Sequence, residues 1–325
     1  MKSFCAKARR SLLGLPREET SCERRGFRVT TGEMRIRLEE VGAFFLSGYH
    51  AALEHDDFGA LVRKLNSVYL EGRGFAFEGA AMGLALRDFL TPWRRNRVRT
   101  LLAGGGNAHA YMIHVGVGWV WARLPFRFRR WKQEMDPLLG WLAFDGWGFH
   151  EGFFHWPKYV AGQPSPARLR GYEHRVFDQG LGRSFWFVNG GNEELVAQII
   201  ANFSAARRAD LWSGVGLAAT YAGMVSENSL QNLRALSGQF RPQLAQGAAF
   251  AAKARQRAGN LTGYTSLATN IFCDLSADEA ARLSDEALEN LDADTDEPQY
   301  EIWRRRIQDR LQNHFSPTRQ GLEAP

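Results

Sequence analysis

The chain has 325 residues, 45% of them apolar, enough to bury one large core or two ordinary ones, which excludes a disordered polymer. Its formal net charge of +6 is uneven: residues 274–297 hold ten acids against the single Arg282, leaving about +15 elsewhere. Cys5, Cys22 and Cys273 are widely spaced and odd in number, which excludes a disulfide framework or a CxxC pair and fits a reducing cytoplasm.

Residues 1–24 read as a flexible basic tail, and their apolar run Ser11–Leu15 is too short for a signal peptide. Leu38, Val41, Phe44, Phe45 and Tyr49 follow helical spacing, as do Leu61, Leu65, Val68 and Tyr69. A helix over Phe77–Leu90 carries small residues at Gly79, Ala80, Gly83 and Ala85, and Pro92 breaks it. Arg95–Ala103 is a short helix ending at Gly104-Gly105-Gly106-Asn107. That triplet follows a helix and lacks the Gly-Lys-Ser/Thr ending of a phosphate loop, so it reads as a C-cap and turn.

Ala108–Leu124 reads as a buried helix, apolar all round; interrupted by His109 and His114, it falls short of the ~20 apolar residues of a membrane span. The following Phe126–Lys132 interleaves aromatics with cations, as an interfacial membrane contact or a carrier-protein dock does. Ser184–Val188 alternates like a strand but fits a helix start equally well. Asn192 can cap a helix, Leu211–Val225 repeats small residues, and Asn232–Leu244 and Ala248–Arg257 read as two more helices. Ser276 to Glu279 is a capping box, Asp292–Pro298 a solvated acidic linker, and Ile302–Phe315 the last helix.

The expected fold is all-α: a helical-repeat-like solenoid or ring of helix pairs, with similar units starting near Gly74, Gly148, Arg183 and Asp210. Their spacings, roughly 74, 35 and 27 residues, define no period. One domain over 25–315 is expected, with related halves at about 25–165 and 166–315 and a tail at 316–325.

Chemistry concentrates in two glycine-spaced stretches. In Glu71–Gly83, Arg73 and Glu78 stand among Phe75, Phe77, alanines and glycines, and a charge there needs a partner: Arg73, Arg183 or a ligand. In Asp145–Trp156, Trp147 and Phe149 precede His150, Glu151 and His155. If that stretch is helical, Glu151 and His155 share a face and His150 lies about 140° away. Glu78, Glu151, His155, His150 and Arg73 are therefore the catalytic candidates. Phe75, Phe77, Trp147, Phe149, His114, Arg183 and Asn189 are the substrate-binding ones. A metal would need Glu151, His155 and His114 to converge, a donor set suited to iron, manganese or zinc; the sequence fixes no cofactor. Glu78 and Glu151 are expected buried on adjacent helices, and His109 is expected to cap its own.

Arg73-Gly-Phe-Ala-Phe-Glu-Gly-Ala-Ala-Met-Gly, Ala110-Tyr-Met-Ile-His-Val-Gly-Val-Gly-Trp, Asp136-Pro-Leu-Leu and Asp145-Gly-Trp-Gly-Phe-His-Glu-Gly-Phe-Phe-His carry a resemblance over roughly residues 25–315. The chain resembles a bacterial family of unknown function. Its members are encoded as accessory proteins beside enediyne polyketide synthases, and also in bacteria with no enediyne pathway. The resemblance implies binding and processing of a long apolar polyene, and it brings no catalytic residues to carry over. The competing reading is a non-catalytic adaptor whose basic surface meets an acidic carrier protein or a partner biosynthetic protein. The scattered arginines form no nucleic-acid motif, which argues against that partner. The expected location is the cytoplasm, with membrane-surface contact through Phe126–Lys132.

Overall fold

The computed structural model describes residues 2–91, 93, 96–126, 128–223, 225–291 and 296–316. Every regular element among them is helical, and the helices form a two-layer row. After α1 (Lys2–Leu13) and α2 (Cys22–Arg25), long helices alternate with short ones: α3 (Gly32–Glu54), α4 (Phe58–Asn66), α5 (Arg73–Leu90), α6 (Arg97–Ala103), α7 (Ala110–Arg123), α8 (Phe128–Gln133), α9 (Leu142–Phe154), α10 (Trp156–Ala161), α11 (Glu173–Val188), α12 (Glu193–Ala201), α13 (Ala205–Ala222), α14 (Glu227–Ser237), α15 (Arg241–Arg257), α16 (Gly263–Cys273) and α17 (Ala277–Glu286). A final helix, α18 (Gln299–Phe315), closes the fold.

The odd-numbered helices α3 to α15 each pack against the next, and glycine makes the approach possible. A Cβ on Gly79 would lie 1.9 Å from the Phe45 carbonyl oxygen, one on Gly116 2.1 Å from that of Glu78, and one on Gly148 1.9 Å from that of Phe177. The contacts advance together: Gly79 meets Phe45 and Gly83 meets Tyr49, while Gly148 meets Phe177 and Gly152 meets Ser184. Neighbouring long helices therefore run in the same direction, and the short helices bring the chain back, as in a solenoid.

The repeat missing from the sequence reading is now visible. The long helices from α5 to α15 start at residues 73, 110, 142, 173, 205 and 241, steps of 31 to 37 residues. Four carry the same pair, Gly116-Val-Gly118, Gly146-Trp-Gly148, Gly180-Leu-Gly182 and Gly214-Val-Gly216. The row passes residue 165 without interruption, since Gly148 and Gly180 join α9 to α11 as closely as any other pair.

Several boundaries shift. Ser184–Val188 lies within α11, and Asn192 and Ser276 cap α12 and α17 as expected. The helix expected over Asn232–Leu244 ends at Ser237, because Gly238 adopts φ 51°; α15 then starts afresh with Pro242 in its first turn. The N-terminal segment is built into the fold instead of trailing from it. Arg9 Nε donates to the Leu53 carbonyl at 2.9 Å, Tyr49 donates to that of Leu13 at 2.7 Å, and Cys22 is buried. Residues 25–28 then cross the ends of α9 and α11: Trp156 Nε1 donates to the Arg25 carbonyl at 3.0 Å and the Arg28 amide to that of Val188 at 2.7 Å. The acidic residues 292–295 and the tail beyond 316 lie outside the described residues.

The row curves so that α13 and the segment after α15 come back against the start of α5. Tyr221, near the end of α13, stands edge-on to Phe75 at the start of α5 with 5.4 Å between ring centroids, and Asn260 Nδ2 donates to the Leu70 carbonyl at 3.2 Å. At the opposite side α18 buries Tyr300, Trp303 and Arg304 completely. Arg304 joins Asp210 at 2.8 Å, and Asp210 also receives Arg175. No helix of the described residues is long and apolar enough to cross a membrane.

Candidate functional site

Close glycine contacts place the charged groups at the centre of the row. Gly116 of α7 rests on the backbone of Glu78 in α5, and three residues further along α7 Trp119 reaches the same Glu78: its Nε1 donates to Oε1 at 3.0 Å. Gly180 of α11 rests on the backbone of Asp145 in α9 in the same way, and three residues on, Arg183 forms an ion pair with the Asp145 carboxylate. Gln179 Nε2 donates to the other Asp145 oxygen at 2.8 Å and to Tyr300 at 3.1 Å. Arg183 also lies over the Phe149 ring, 4.8 Å from its centroid, and its Nε has no hydrogen-bond partner.

Glu78 and Arg183 face a narrow cavity of about 60 Å³. Its walls are aromatic, with Phe45, Phe75, Trp119, Phe149, Phe153 and Phe187. Glu78 is only 2% exposed, and burial outweighs the nearby Arg183 charge and the Trp119 hydrogen bond, raising its pKa from 4.5 to about 7. A carboxylate at that value exchanges a proton readily near neutral pH. Leu15 and Leu46 separate this cavity from an open hollow of about 550 Å³ whose rim carries Arg10, Arg17 and His50.

Of the residues singled out in the sequence, Glu78, Arg183, Phe75 and Phe149 therefore meet in one place. The others do not. Arg73 does not pair with Glu78; it stands at the start of α5 and donates to the Asn66 carbonyl at 2.9 Å. Phe77 points the other way and stacks on His109, ring centroids 4.1 Å apart. His109 makes no capping hydrogen bond, and burial lowers its pKa to about 4. Trp147 packs edge-on against Phe128, and Asn189 Nδ2 donates to the Phe185 carbonyl at 2.8 Å at the end of α11.

Glu78 and Glu151 are not on adjacent helices, because α7 stands between α5 and α9. Glu151 is half-buried, accepts from the Tyr159 hydroxyl at 2.9 Å and lies 3.4 Å from His150 Nδ1. His150 is buried, receives Arg123 Nε on Nε2 at 3.1 Å and has its pKa lowered by burial to about 4. α9 ends at Phe154 and His155 is its C-cap, so the helix stops one residue short of His155; its ring lies 6.3 Å from that of His150, and its amide donates to the Glu151 carbonyl at 2.8 Å. His114 lines a different cavity altogether. Among the described residues no three His, Cys, Asp or Glu side chains come together as a metal site, so Glu151, His155 and His114 do not converge.

Sequence reasoning missed Trp119 and Asp145. The available signal was their register: each contact partner lies three residues beyond a glycine of the recurring pair, so Gly116 pointed to Trp119 and Gly180 to Arg183 with Asp145 beneath it. The chain matches, over residues 4–311, the model of a family described as protein of unknown function (DUF1702), and it belongs to that family. No curated protein and no solved structure matches it.

Proposed function

We propose that this member of the family binds an extended apolar small molecule above Glu78, a polyene of the enediyne type or a related polyketide, and that Glu78 acts on it as a general acid–base. The observation that carries this reading is a buried carboxylate lining an aromatic cavity, where desolvation pushes its pKa up to about 7. Such a group can take a proton from one carbon of a conjugated chain and return one to another, leaving the atom count unchanged. Arg183 limits how far the pKa rises and holds the base of the cavity through Asp145. A volume of about 60 Å³ is well below the 300 Å³ or so of common ligand pockets, so a polyene must part Leu15 from Leu46 and extend into the outer hollow. The resemblance to accessory proteins encoded beside enediyne synthases supports the polyene as ligand.

The Glu78→Gln substitution should keep the fold and polyene binding while abolishing any change in the polyene's absorption spectrum. Glu151→Gln should leave both intact. Conversion that survives Glu78→Gln would refute the reading.

The same substitution has a signature in stability. Glu78 binds a proton more tightly folded than unfolded, so its contribution to stability is complete below about pH 4.5 and is lost as pH rises through about 7. Glutamine carries no such titration. In denaturant titrations the Glu78→Gln protein should gain on the wild type across that window, by about 3 kcal/mol in total.

A further inference from the structure

We propose a second ligand site, separate from the Glu78 cavity, that takes an amphipathic organic anion with an O–H or N–H donor. A cavity of about 420 Å³ opens between α5, α6, α7 and the segment around residue 135, and it shares no lining residue with the Glu78 cavity. Its size falls within the range of small-molecule sites. Val117, Leu139 and Trp131 give it apolar walls.

Two observations specify the ligand. The first is His114, 2% exposed, which lines the cavity. Its Nδ1 lies 2.7 Å from the Ala110 carbonyl oxygen; a carbonyl only accepts, so Nδ1 carries the hydrogen. Nε2 has no partner, and burial lowers the pKa of the ring, which leaves Nε2 an unused acceptor. The group that meets it must therefore donate a hydrogen.

The second is the charge balance of the cavity. Its acids are already engaged: Asp88 receives Arg97 and the Val98 amide, Asp136 receives the Leu138 and Leu139 amides, and Glu134 lies 3.5 Å from Arg130. Its two cations, Arg99 and Arg257, form no ion pair among the described residues; Arg257 makes one neutral hydrogen bond, to Asn107 Oδ1 at 3.1 Å. Two guanidinium groups at the rim of an apolar cavity with a buried acceptor inside suit a molecule with a sulfonate or carboxylate, an apolar body and a donor.

Anilinonaphthalene sulfonate has these three parts and reports its own binding by fluorescence. Titrated into the full-length protein, it should bind saturably with one equivalent at this site. His114→Phe, which fills the space without an acceptor, should weaken binding about tenfold, and Arg99→Ala with Arg257→Ala should do so by a similar factor. Glu78→Gln should leave it unchanged. The rim arginines are exposed, so their removal tests the site even if His114→Phe proves unstable. Absence of saturable binding, or equal binding by the wild type and the Arg99→Ala/Arg257→Ala protein, would overturn the proposal.

Discussion

Replacing Arg183 with methionine should destabilise the protein by about 3–5 kcal/mol, measured by denaturant unfolding below pH 7. The side chain is 4% exposed and its partner Asp145 fully buried, so the substitution leaves a carboxylate in the interior with only the Gln179 amide to satisfy it. Glu78 should respond too, since the positive charge that opposes its desolvation is gone and its pKa must move above about 7. Any Glu78-dependent activity should then shift to higher pH. A second substitution, Asp145→Leu, should recover part of the lost stability by removing the stranded charge. An Arg183→Met protein as stable as the wild type would mean that the ion pair does not hold these helices together.

A single added methyl should do comparable damage at the helix seams. In Gly180→Ala the new Cβ would sit 1.8 Å from the Asp145 carbonyl oxygen and 2.8 Å from the Phe149 amide nitrogen. Both are backbone atoms, so no side chain can swing aside; α9 and α11 must separate, and the loss should reach about 3 kcal/mol or more. The drop in Tm should be accompanied by a weaker Arg183–Asp145 pair, because the same contact sets its register. Gly263→Ala makes the control: nothing lies within 4 Å of its Cβ, and the change should stay within about 1 kcal/mol. Equal stability of the two variants would remove glycine packing as the organising contact.

Those seams also explain what could be read from the residues alone. Helical spacing, the caps at Asn192 and Ser276 and the small residues of α5 and α13 identify an all-α protein, because each is a local property of the chain. The repeat was harder to see. The conserved geometry lies in two glycines per long helix, while the surrounding side chains differ so much that comparing aromatic clusters gave starts near Gly74, Gly148, Arg183 and Asp210 with no common step. Half of the site was legible for a physical reason: a charge among Ala, Gly and Phe, as at Glu78, demands burial with a partner. Asp145 and Trp119 escaped notice because their role comes from helices brought together by glycine. The end of α9 at Phe154 has one local mark, Pro157 in the first turn of the next helix, which disfavours helical backbone just before it.

The strand of chain at residues 25–28 sets an order of events during synthesis. The Trp156 indole and the Val188 carbonyl that hold this segment are made some hundred and thirty to hundred and sixty residues after it. At about 5–20 residues per second, that segment waits roughly 7–30 seconds before its partners exist to receive it. The aromatic cavity cannot be roofed in that interval. Its walls at Phe149 and Phe153 on α9 and at Arg183 and Phe187 on α11 are made well after Phe45, Phe75 and Glu78, so a nascent chain stalled before α11 would display those three side chains to solvent.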